Sequence, residues 1–372
     1  MRGETVVSSH GVAQHPHPSP LPTRERGDQR STMPTVKLRA EQYCPLIGVT
    51  MGDPAGIGPE VALKAAAVKP SACRLVVLGD LTSLIDTAGR LGSSLTPVSW
   101  QPDGPYPVEP DKLPVLALSQ LPAAEQRPGQ PTPAGGEASY RYVETGVRLA
   151  LNNTLQGLVT APISKAMWHA AGRTYPGHTE LLAALTHTPE VRMMLVGSRL
   201  RVILVTTHIA LAQVPAALSS ERILKTITLA VTHLSRFHGL HHPHLAVAGL
   251  NPHAGEAGAF GDEEEQIIAP AVRHAQSLGL AVDGPFPADT IFVRAVRGEF
   301  NGVICLYHDQ GLIPLKLLSW EDGVNVTIGL PIVRTSPDHG TAFDIAGQGK
   351  ADPRSMQAAI ALAAAMTKTR ST

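Results

Sequence analysis

From Pro45 to the C-terminus, short apolar runs alternate with longer amphipathic or alanine-rich segments, and this alternation limits the possible folds more than any other feature. Each run has the length of a strand and is apolar on both faces, as strands of a helix-covered sheet are. The runs are residues 46–50, 75–78, 157–160, 202–206, 245–249 and 302–306. The helical candidates are residues 59–68, 139–152, 180–185, 220–237, 262–277 and 352–366. The pattern predicts an α/β protein with a largely parallel or mixed sheet.

Two stretches stand outside this alternation. Residues 1–42 include the proline-rich run 15–23 and have no hydrophobic period, so we expect a disordered extension. Residues 101–132 are rich in proline and glutamine, and we expect an irregular connection there. The length of 372 residues suits two or three domains, or one large α/β fold.

Charge and composition argue against several classes of protein. Lys+Arg and Asp+Glu both number 31, which gives no basic excess for binding nucleic acid, and aromatic residues make up only 4%. No run of about 18 apolar residues is present, which argues against a membrane span. Cys44, Cys73 and Cys305 are too far apart for a cysteine zinc motif or a disulfide framework, so a reducing cytoplasm is the expected compartment.

Three histidines follow three of the predicted strands. His208, His253 and His308 come at or shortly after the runs 202–206, 245–249 and 302–306. In α/β sheets, ligands bind outside the carboxyl ends of the strands. If these strands are neighbours, the three imidazoles can converge on a catalytic divalent metal with an open position.

The histidines also have a simpler interpretation, in which each one is hydrogen-bonded at the start of a loop. A denser histidine group comprises His238, His241, His242 and His244. It precedes the run 245–249, which puts it at the amino end of the sheet. We therefore interpret that group as a solvated loop and not as a metal site.

Several loops carry groups suited to an anion. Residues 50–60 form a glycine-rich turn into a helix, which is typical either of an anion cradle or of a purely structural turn. Residues 174–180 place His178 and Thr179 near a helix start, where Thr179 is also a candidate N-cap. The segment 308–334, interpreted as a loop, contains cations and amides suited to a phosphate monoester, namely Lys316, Asn325 and Arg334. Lys316 lies in an apolar stretch, so it needs an anionic partner.

Eight motifs in chain order carry a family resemblance. They are GVTMGDPAGIGPE, TAPISK, YPGHTE, TTHIAL, GLNPHAGE, PADTIF, YHDQGLIPLK and RTSPDHGTAFDIAG. They closely resemble segments of the 4-hydroxythreonine-4-phosphate dehydrogenase (PdxA) family of pyridoxal phosphate biosynthesis. The resemblance extends from about Pro45 to the C-terminus without a missing block.

The resemblance implies an isocitrate/isopropylmalate dehydrogenase-like fold, with two α/β/α domains around a cleft and the active site at a homodimer interface. It implies a first domain of residues 43–155 plus 325–372, and a second of residues 156–324 with the three-histidine site. The implied reaction is oxidation of 4-phosphooxy-threonine by NAD or NADP, assisted by Zn, Mg or Co. Its product, 2-amino-3-oxo-4-phosphooxybutanoate, decarboxylates to 3-amino-2-oxopropyl phosphate.

The resemblance also implies roles for individual residues. The family's metal-ligand positions match the same three histidines that follow the strands. Its substrate-binding positions match His178, Thr179, Lys316, Asn325 and Arg334. The glycine-rich loop 339–352 is similar to an adenosine-binding loop, which implies cofactor roles for Gly340, Asp344 and Gly347, although a long turn is the simpler interpretation. Asp289, in PADTIF, is the candidate general base or a group that orients a histidine.

Three rival functions stay open. A related dehydrogenase would act on a four-carbon sugar-acid phosphate such as erythronate or threonate 4-phosphate. A three-histidine metal hydrolase of a phosphorylated compound would need no nicotinamide, and a phosphate-binding protein would have no catalysis. The retained Lys316, Asn325 and Arg334 favour a phosphorylated substrate over a cyclic dihydrodiol.

Overall fold

The computed structural model describes residues 44–68, 70 and 72–370. Within these residues, twelve strands form one sheet in the order β3-β4-β2-β1-β5-β12-β11-β6-β7-β10-β8-β9. The strands are β1 (Leu46–Thr50), β2 (Arg74–Asp80), β3 (Thr96–Ser99), β4 (Lys112–Ser119), β5 (Gly157–Thr160), β6 (Arg192–Val196), β7 (Arg201–Leu204), β8 (Leu245–Ala248), β9 (Val282–Phe286), β10 (Gly302–Cys305), β11 (Val324–Ile328) and β12 (Val333–Pro337). The predicted α/β class is confirmed.

Eleven α-helices connect the strands of the described chain. They are α1 (Gly58–Ala67), α2 (Leu81–Leu91), α3 (Pro133–Leu151), α4 (Lys165–Ala170), α5 (His178–Leu185), α6 (Val214–Ala217), α7 (Ser220–His238), α8 (Ala269–Ser277), α9 (Ala288–Val296), α10 (His308–Leu318) and α11 (Arg354–Arg370). Local chemistry sets several of their ends. Ser219 accepts a hydrogen bond from the Arg222 amide at the start of α7, and left-handed Gly239 ends that helix.

Three antiparallel pairings divide the sheet into two oppositely directed halves. β5 is parallel to β12, β12 is antiparallel to β11, β11 to β6, and β6 to β7. From β7 onward the pairings with β10, β8 and β9 are again parallel. The β5 and β7 strands therefore run in opposite directions, so their carboxyl ends point opposite ways. β12, β11 and β6 lie between these two strands.

The inner strands are the centre of the hydrophobic core. β1, β5, β8 and β10 are buried at every residue. Each Å² of apolar surface that these strands bury stabilises the fold by about 25 cal/mol. Fully buried Trp168 on α4 donates its indole N–H to Ser139 on α3 at 2.8 Å. Fully buried Tyr142 on α3 is hydrogen-bonded through its hydroxyl to Ser119 on β4. These contacts join α3 to α4 and to the sheet.

Several expectations about local structure were wrong. The predicted irregular segment 101–132 contains the largely buried strand β4, which pairs with both β2 and β3. The predicted loop 308–334 contains α10, β11 and the start of β12. The predicted helix 262–277 starts with a π-helical turn at Glu264–Ile268 before α8. Composition misled the first of these, because proline in Lys112–Ser119 does not prevent pairing outside the donor position.

The glycine-rich turn before α1 is structural. Residues 51–60 are all buried, and a Cβ at Gly58 would lie 2.1 Å from the Met51 carbonyl oxygen. A Cβ at Gly52 would lie 2.4 Å from the Pro162 carbonyl oxygen, and Gly52 has a φ of 74°. These glycines permit backbone-to-backbone packing. The glycines of this turn therefore have a structural explanation, and its use as an anion cradle stays an untested alternative.

The described residues test three further expectations only in part or not at all. The predicted disordered extension, residues 1–42, lies outside the described residues. The boundaries of the two α/β/α domains stay a prediction. Within the described part of the chain, no helix has the length and apolar character needed to cross a bilayer.

Candidate active site

A cavity of about 820 Å³ lies across the middle of the sheet. Its lining includes Thr160 at the carboxyl end of β5 and Leu204 at the carboxyl end of β7. These two strands run in opposite directions. Between them it crosses β12, β11 and β6. Of the eight residues expected to bind substrate or metal, six line this cavity and two, Lys316 and His253, do not. The six are His178, Thr179, His208, His308, Asn325 and Arg334.

Arg334 is a buried cation without a carboxylate partner among the described residues. Its side chain leaves β12 and is only 2% exposed. Its Nε and Nη2 donate to Thr160 Oγ1 at 3.2 and 2.6 Å, and Nη1 donates to Thr327 Oγ1 at 2.9 Å. Burial lowers the pKa of the guanidinium to about 9. A buried charge held only by neutral hydroxyls is costly, and an anionic ligand in the cavity would offset that cost.

Two further polar groups beside Arg334 have unused hydrogen-bonding atoms. His178 Nε2 and Asn325 Oδ1 are buried and have no partner among the described residues. Burial, followed by the charges of Arg334 and Lys165, holds the pKa of His178 well below its ordinary value. His178 is therefore neutral at pH 7, with an edge contact between its ring and Trp168. The pocket combines one fixed cation with neutral groups, which suits a phosphate ester.

His208 and His308 meet as the strand-end argument predicts. β7 pairs with β10 in parallel, and the two ring centroids are 5.6 Å apart. His308 begins α10, and its Nδ1 lies 2.7 Å from Asp309 Oδ1, which leaves Nε2 for a ligand. Burial, the Lys165 ammonium and His308 lower the pKa of His208. Neutral imidazole is the form that binds a metal.

His253 lies elsewhere, although its strand is a neighbour. β8 pairs with β10, yet His253 comes five residues after β8 ends and does not line the cavity. Its φ is 53°, and the non-glycine residues 254, 256 and 257 also have positive φ. Buried Glu264 holds this loop through the Leu250 and Asn251 amides, each at 2.7 Å. Such strained backbone, held by a buried carboxylate, is typical of functional loops.

Two of the three residues expected as metal ligands, His208 and His308, line the cavity. A catalytic zinc-type site uses about three protein ligands. In the part of the chain that the structure describes, no three His, Cys, Asp or Glu side chains are grouped as a metal site. His208 and His308 fit two ligand positions, and His253 of the same chain does not complete the set.

The other expected site residues have varied surroundings. Lys316 is on α10, and its Nζ lies 2.9 Å from Asp338, which lines the cavity. Thr179 is the second residue of α5, whose N-cap is Gly177, so the N-cap interpretation of Thr179 is wrong. Asp289 is an exposed residue in the first turn of α9, which packs against the turn containing His253.

The expected cofactor residues lie in the glycine-rich loop after β12. Gly340 lines the cavity, with no atom within 4 Å of a Cβ placed there. Gly347 has a φ of 74° and packs against Pro128, so its residue type has a structural explanation. Asp344 accepts a bond from Gln348 Nε2 through its backbone carbonyl. The cofactor roles stay predictions.

Sequence reasoning missed Thr160, Thr327 and Lys165. Thr160 and Thr327 hold the Arg334 guanidinium, and exposed Lys165 lines the cavity beside them. Thr160 and Lys165 both belong to TAPISK, at the end of a predicted strand, so the strand-end rule applied to all polar residues would have included them.

The dense histidine group is at the amino end of β8, as predicted. His244 directly precedes β8, and its Nε2 lies 2.8 Å from Asp283. His238 is the last residue of α7 and not part of a loop, and its Nε2 is buried. This burial and then the Arg201 charge lower its pKa to about 4. The solvated-loop interpretation is therefore wrong for His238.

Comparison with known proteins gives a consistent family match. Residues 71–363 match the family described as "Pyridoxal phosphate biosynthetic protein PdxA". A 4-hydroxythreonine-4-phosphate dehydrogenase of Desulforapulum autotrophicum is 49% identical over 324 residues, covering 86% of this chain and 95% of that protein. A D-threonate 4-phosphate dehydrogenase of Cupriavidus necator is 46% identical over 323 residues, covering 86% of this chain and 96% of that protein.

A solved structure matches the fold as well. The crystal structure of 4-hydroxythreonine-4-phosphate dehydrogenase from Klebsiella pneumoniae has a TM-score of 0.79 and 42% identity. The match covers 87% of this chain and 99% of that chain. The similarity in fold thus extends over most of the chain.

Proposed function

The chain belongs to the PdxA family of pyridoxal phosphate biosynthetic proteins, and from that premise we propose that it oxidises 4-phosphooxy-threonine with NAD or NADP. The product would be 2-amino-3-oxo-4-phosphooxybutanoate, which decarboxylates to 3-amino-2-oxopropyl phosphate. Relatives described as dehydrogenases support an oxidoreductase acting on a secondary alcohol. The proposed place of the reaction is pyridoxal phosphate biosynthesis.

The observation that carries the proposal is the unpaired, buried Arg334 cation. We assign the substrate phosphate to Arg334, with His178, Thr179 and Asn325 around it. Binding of a dianion would satisfy the guanidinium and give a partner to the buried His178 Nε2. The phosphate is a non-reacting part of the substrate, so its binding energy serves to orient the reacting carbon.

The hydroxyl-bearing carbon would lie toward His208 and His308. These side chains fit part of a ligand set for a divalent ion such as Zn, Mg or Co, and such an ion would supply Lewis-acid polarisation of the hydroxyl. The 2-amino-3-oxo acid then loses carbon dioxide because the neighbouring carbonyl accepts the electron pair. Asp309, bonded to His308 Nδ1, fixes the orientation and tautomer of that imidazole.

We propose that a second copy of the chain completes the site in a homodimer. His253 lies outside the cavity of its own chain, on a strained turn that packs against α9. A second subunit would bring His253 to the His208–His308 pair. The same surface carries Asp289, so this candidate general base would come from the same subunit as His253.

NAD or NADP would occupy the cavity edge formed by the loop after β12. Gly340 is the cavity-lining residue of that loop, and Asp344 and Gly347 lie further along it. The nicotinamide would accept the hydride, and the chain's task is to hold both reactants and exclude water. Among Zn, Mg and Co, imidazole ligands suit Zn and Co better than Mg, which prefers oxygen ligands. A cytoplasmic location is the compartment we propose.

A second candidate substrate is threonate 4-phosphate or erythronate 4-phosphate. A relative described as D-threonate 4-phosphate dehydrogenase is 46% identical, against 49% for the 4-hydroxythreonine-4-phosphate dehydrogenase, so both substrates stay candidates. Both share the phosphate, the secondary hydroxyl and the carboxylate, and they differ at carbon 2.

The test is to follow NADH absorbance with purified protein, NAD and Zn²⁺ or Mg²⁺. 4-Phosphooxy-threonine is compared with 4-phospho-erythronate at equal concentration. We expect NADH from the amino acid with the higher kcat/KM. A higher kcat/KM with the sugar acid would move the protein to the second candidate, and no NADH from either would favour a metal-dependent hydrolase.

A further inference from the structure

Lys165 is an unpaired cation in the cavity beside the phosphate pocket. It is the first residue of α4, it is exposed, and it forms no ion pair with any described residue. Its Cε and Nζ lie 3.3 and 3.7 Å from the position of a Cβ on Gly177. Because Gly177 has no side chain, the lysine stem can lie against the start of α5.

Lys165 lines the same cavity as His178, in the phosphate pocket, and His208, in the histidine pair. Its Cε lies beside Gly177, which directly precedes His178. Glu180 Oε2 lies 3.5 Å from the same Gly177 Cβ position, yet it makes no ion pair with Lys165. A four-carbon ligand that joins the two parts therefore passes the ammonium group.

The proposed substrate carries two anionic groups, and Arg334 accounts for only one. The phosphate needs the buried guanidinium, because it is the more highly charged group. The carboxylate at the other end of the four-carbon chain needs a second cation. Among the described residues that line the cavity, Arg192 is paired with Glu190 at 3.0 Å, which leaves Lys165 and Arg222.

Arg222 fits the carboxylate less well than Lys165. Its Nε donates to the Val205 carbonyl oxygen at 3.0 Å, so its side chain is held at the β7 side. The Lys165 side chain, by contrast, lies beside Gly177, the residue before His178 in the phosphate pocket.

We propose that Lys165 binds the substrate carboxylate and so restricts this site to phosphorylated acids. This inference rests on the proposed function, and it names the residue that selects an acid over an alcohol phosphate. Lys165 contacts the carboxylate next to the carbon chain that is oxidised, and the Gly177 backbone leaves room for its stem. The phosphate pocket alone would accept any small phosphate ester.

The test measures binding by calorimetry in a metal-free buffer with EDTA, so that turnover is not required. Two ligands are compared, 4-phospho-erythronate and glycerol 3-phosphate, which has the phosphate and a neighbouring hydroxyl without a carboxylate. The variants are Lys165→Met, Lys165→Arg and Arg222→Met, and Lys112→Met on β4 is a control far from the cavity.

In the native protein we expect the acid to bind about 10- to 100-fold tighter than glycerol 3-phosphate. Lys165→Met should remove most of that difference and leave the glycerol 3-phosphate Kd within about twofold, whereas Lys165→Arg should keep most of it. Circular dichroism and unfolding midpoints of each variant show whether it folds.

Three outcomes with the variants overturn the inference. These are an unchanged preference for the acid in folded Lys165→Met, an equal loss of affinity for both ligands, and a loss confined to Arg222→Met. A native protein that binds both ligands equally also overturns it. Failure to produce NADH would count against the proposed dehydrogenase alone, because the binding difference is measured without cofactor.

Discussion

The pocket around Arg334 and the His208–His308 pair both contain residues expected from the sequence. One chain brings the residues of the Arg334 pocket together, whereas it leaves His253 apart from the other two histidines. Arg334, Thr160 and Thr327 belong to the adjacent strands β12, β5 and β11, and all three side chains are in contact. His208 and His308 also follow adjacent strands and lie together. His253 follows the next strand but sits on a strained turn outside the cavity.

The difference shows which side-chain positions the pairing of strands determines and which it does not. Register places a side chain on a strand to within about one residue, because neighbouring strands are held by a ladder of hydrogen bonds. Five residues beyond the strand, the position depends on the turn that follows. The Arg334 pocket is therefore built from residues of one chain, whereas the proposed three-histidine site would need a second copy of the chain.

We expect His253→Ala to have the largest effect on activity. A mixed dimer tests whether His253 acts in the site of its own chain or in that of a second chain. His253→Ala should lower kcat/KM about 100-fold or more, because it removes one of three proposed metal ligands. Arg334→Met should also be nearly inactive. If each site combines two chains, unfolding and refolding the two inactive variants together at 1:1 should restore about one quarter of native activity, because half of the dimers are mixed and each has one intact site.

The control is each variant refolded alone, followed by the same NADH assay. A mixture as inactive as its components would place His253 in the site of its own chain, or outside any site. Either result would remove the proposed difference between the two regions.

Arg334→Met should have the next largest effect, and it should separate binding from stability. We expect inorganic phosphate or the phosphorylated substrate to bind about 100-fold more weakly, since a buried charged partner is removed. Without ligand, the free energy of unfolding should rise by about 1 kcal/mol, because a buried unpaired charge is no longer desolvated.

Calorimetry gives the Kd, and urea unfolding without phosphate gives the stability. Thr327→Val is the matched variant that removes one hydroxyl partner and keeps the charge, with a smaller expected loss of affinity. A strong loss of stability in Arg334→Met would instead make the arginine a structural residue.

Lys316→Met should have a smaller effect than Arg334→Met. Lys316 is half-exposed and already paired with Asp338 at 2.9 Å, so solvent screens its charge and a carboxylate competes with the ligand. We expect KM for the phosphorylated substrate to rise less than about tenfold with little change in kcat. A loss as large as that of Arg334→Met would mean that Lys316 belongs to the phosphate pocket after all.

The smallest effect concerns pH and His178. Its pKa is lowered by burial first and by the Arg334 and Lys165 charges, so the free protein keeps this imidazole neutral. A bound dianion raises that pKa, and by linkage the protonated form binds the dianion more tightly. The affinity for sulfate should therefore increase as pH falls from 8 to 6, by no more than about threefold per pH unit.

Sulfate is the probe because it stays a dianion over this range. Calorimetry in two buffers with different ionisation enthalpies measures the protons taken up on binding. His178→Gln should flatten the pH dependence, and an unchanged slope in that variant would assign the proton to another group.

Much of the fold was predictable because its signals are local. Strands such as β1 and β10 are apolar on both faces, and helix α7 has its own cap residues at both ends. β4 was missed because its segment is rich in proline and glutamine, and only its pairing with β2 and β3 defines it as a strand. The α/β class follows from the local signals alone.

The site residues also divide into those that local sequence predicts and those that only the tertiary structure reveals. The sequence alone determined the α/β class and the histidines that follow β7 and β10, because strand length and strand ends are encoded in nearby residues. Only the tertiary structure decided that Thr160, 174 positions from Arg334, holds its guanidinium. The tertiary structure also decided that His253 lies outside the cavity, because long-range contacts depend on which strands pair and in which direction.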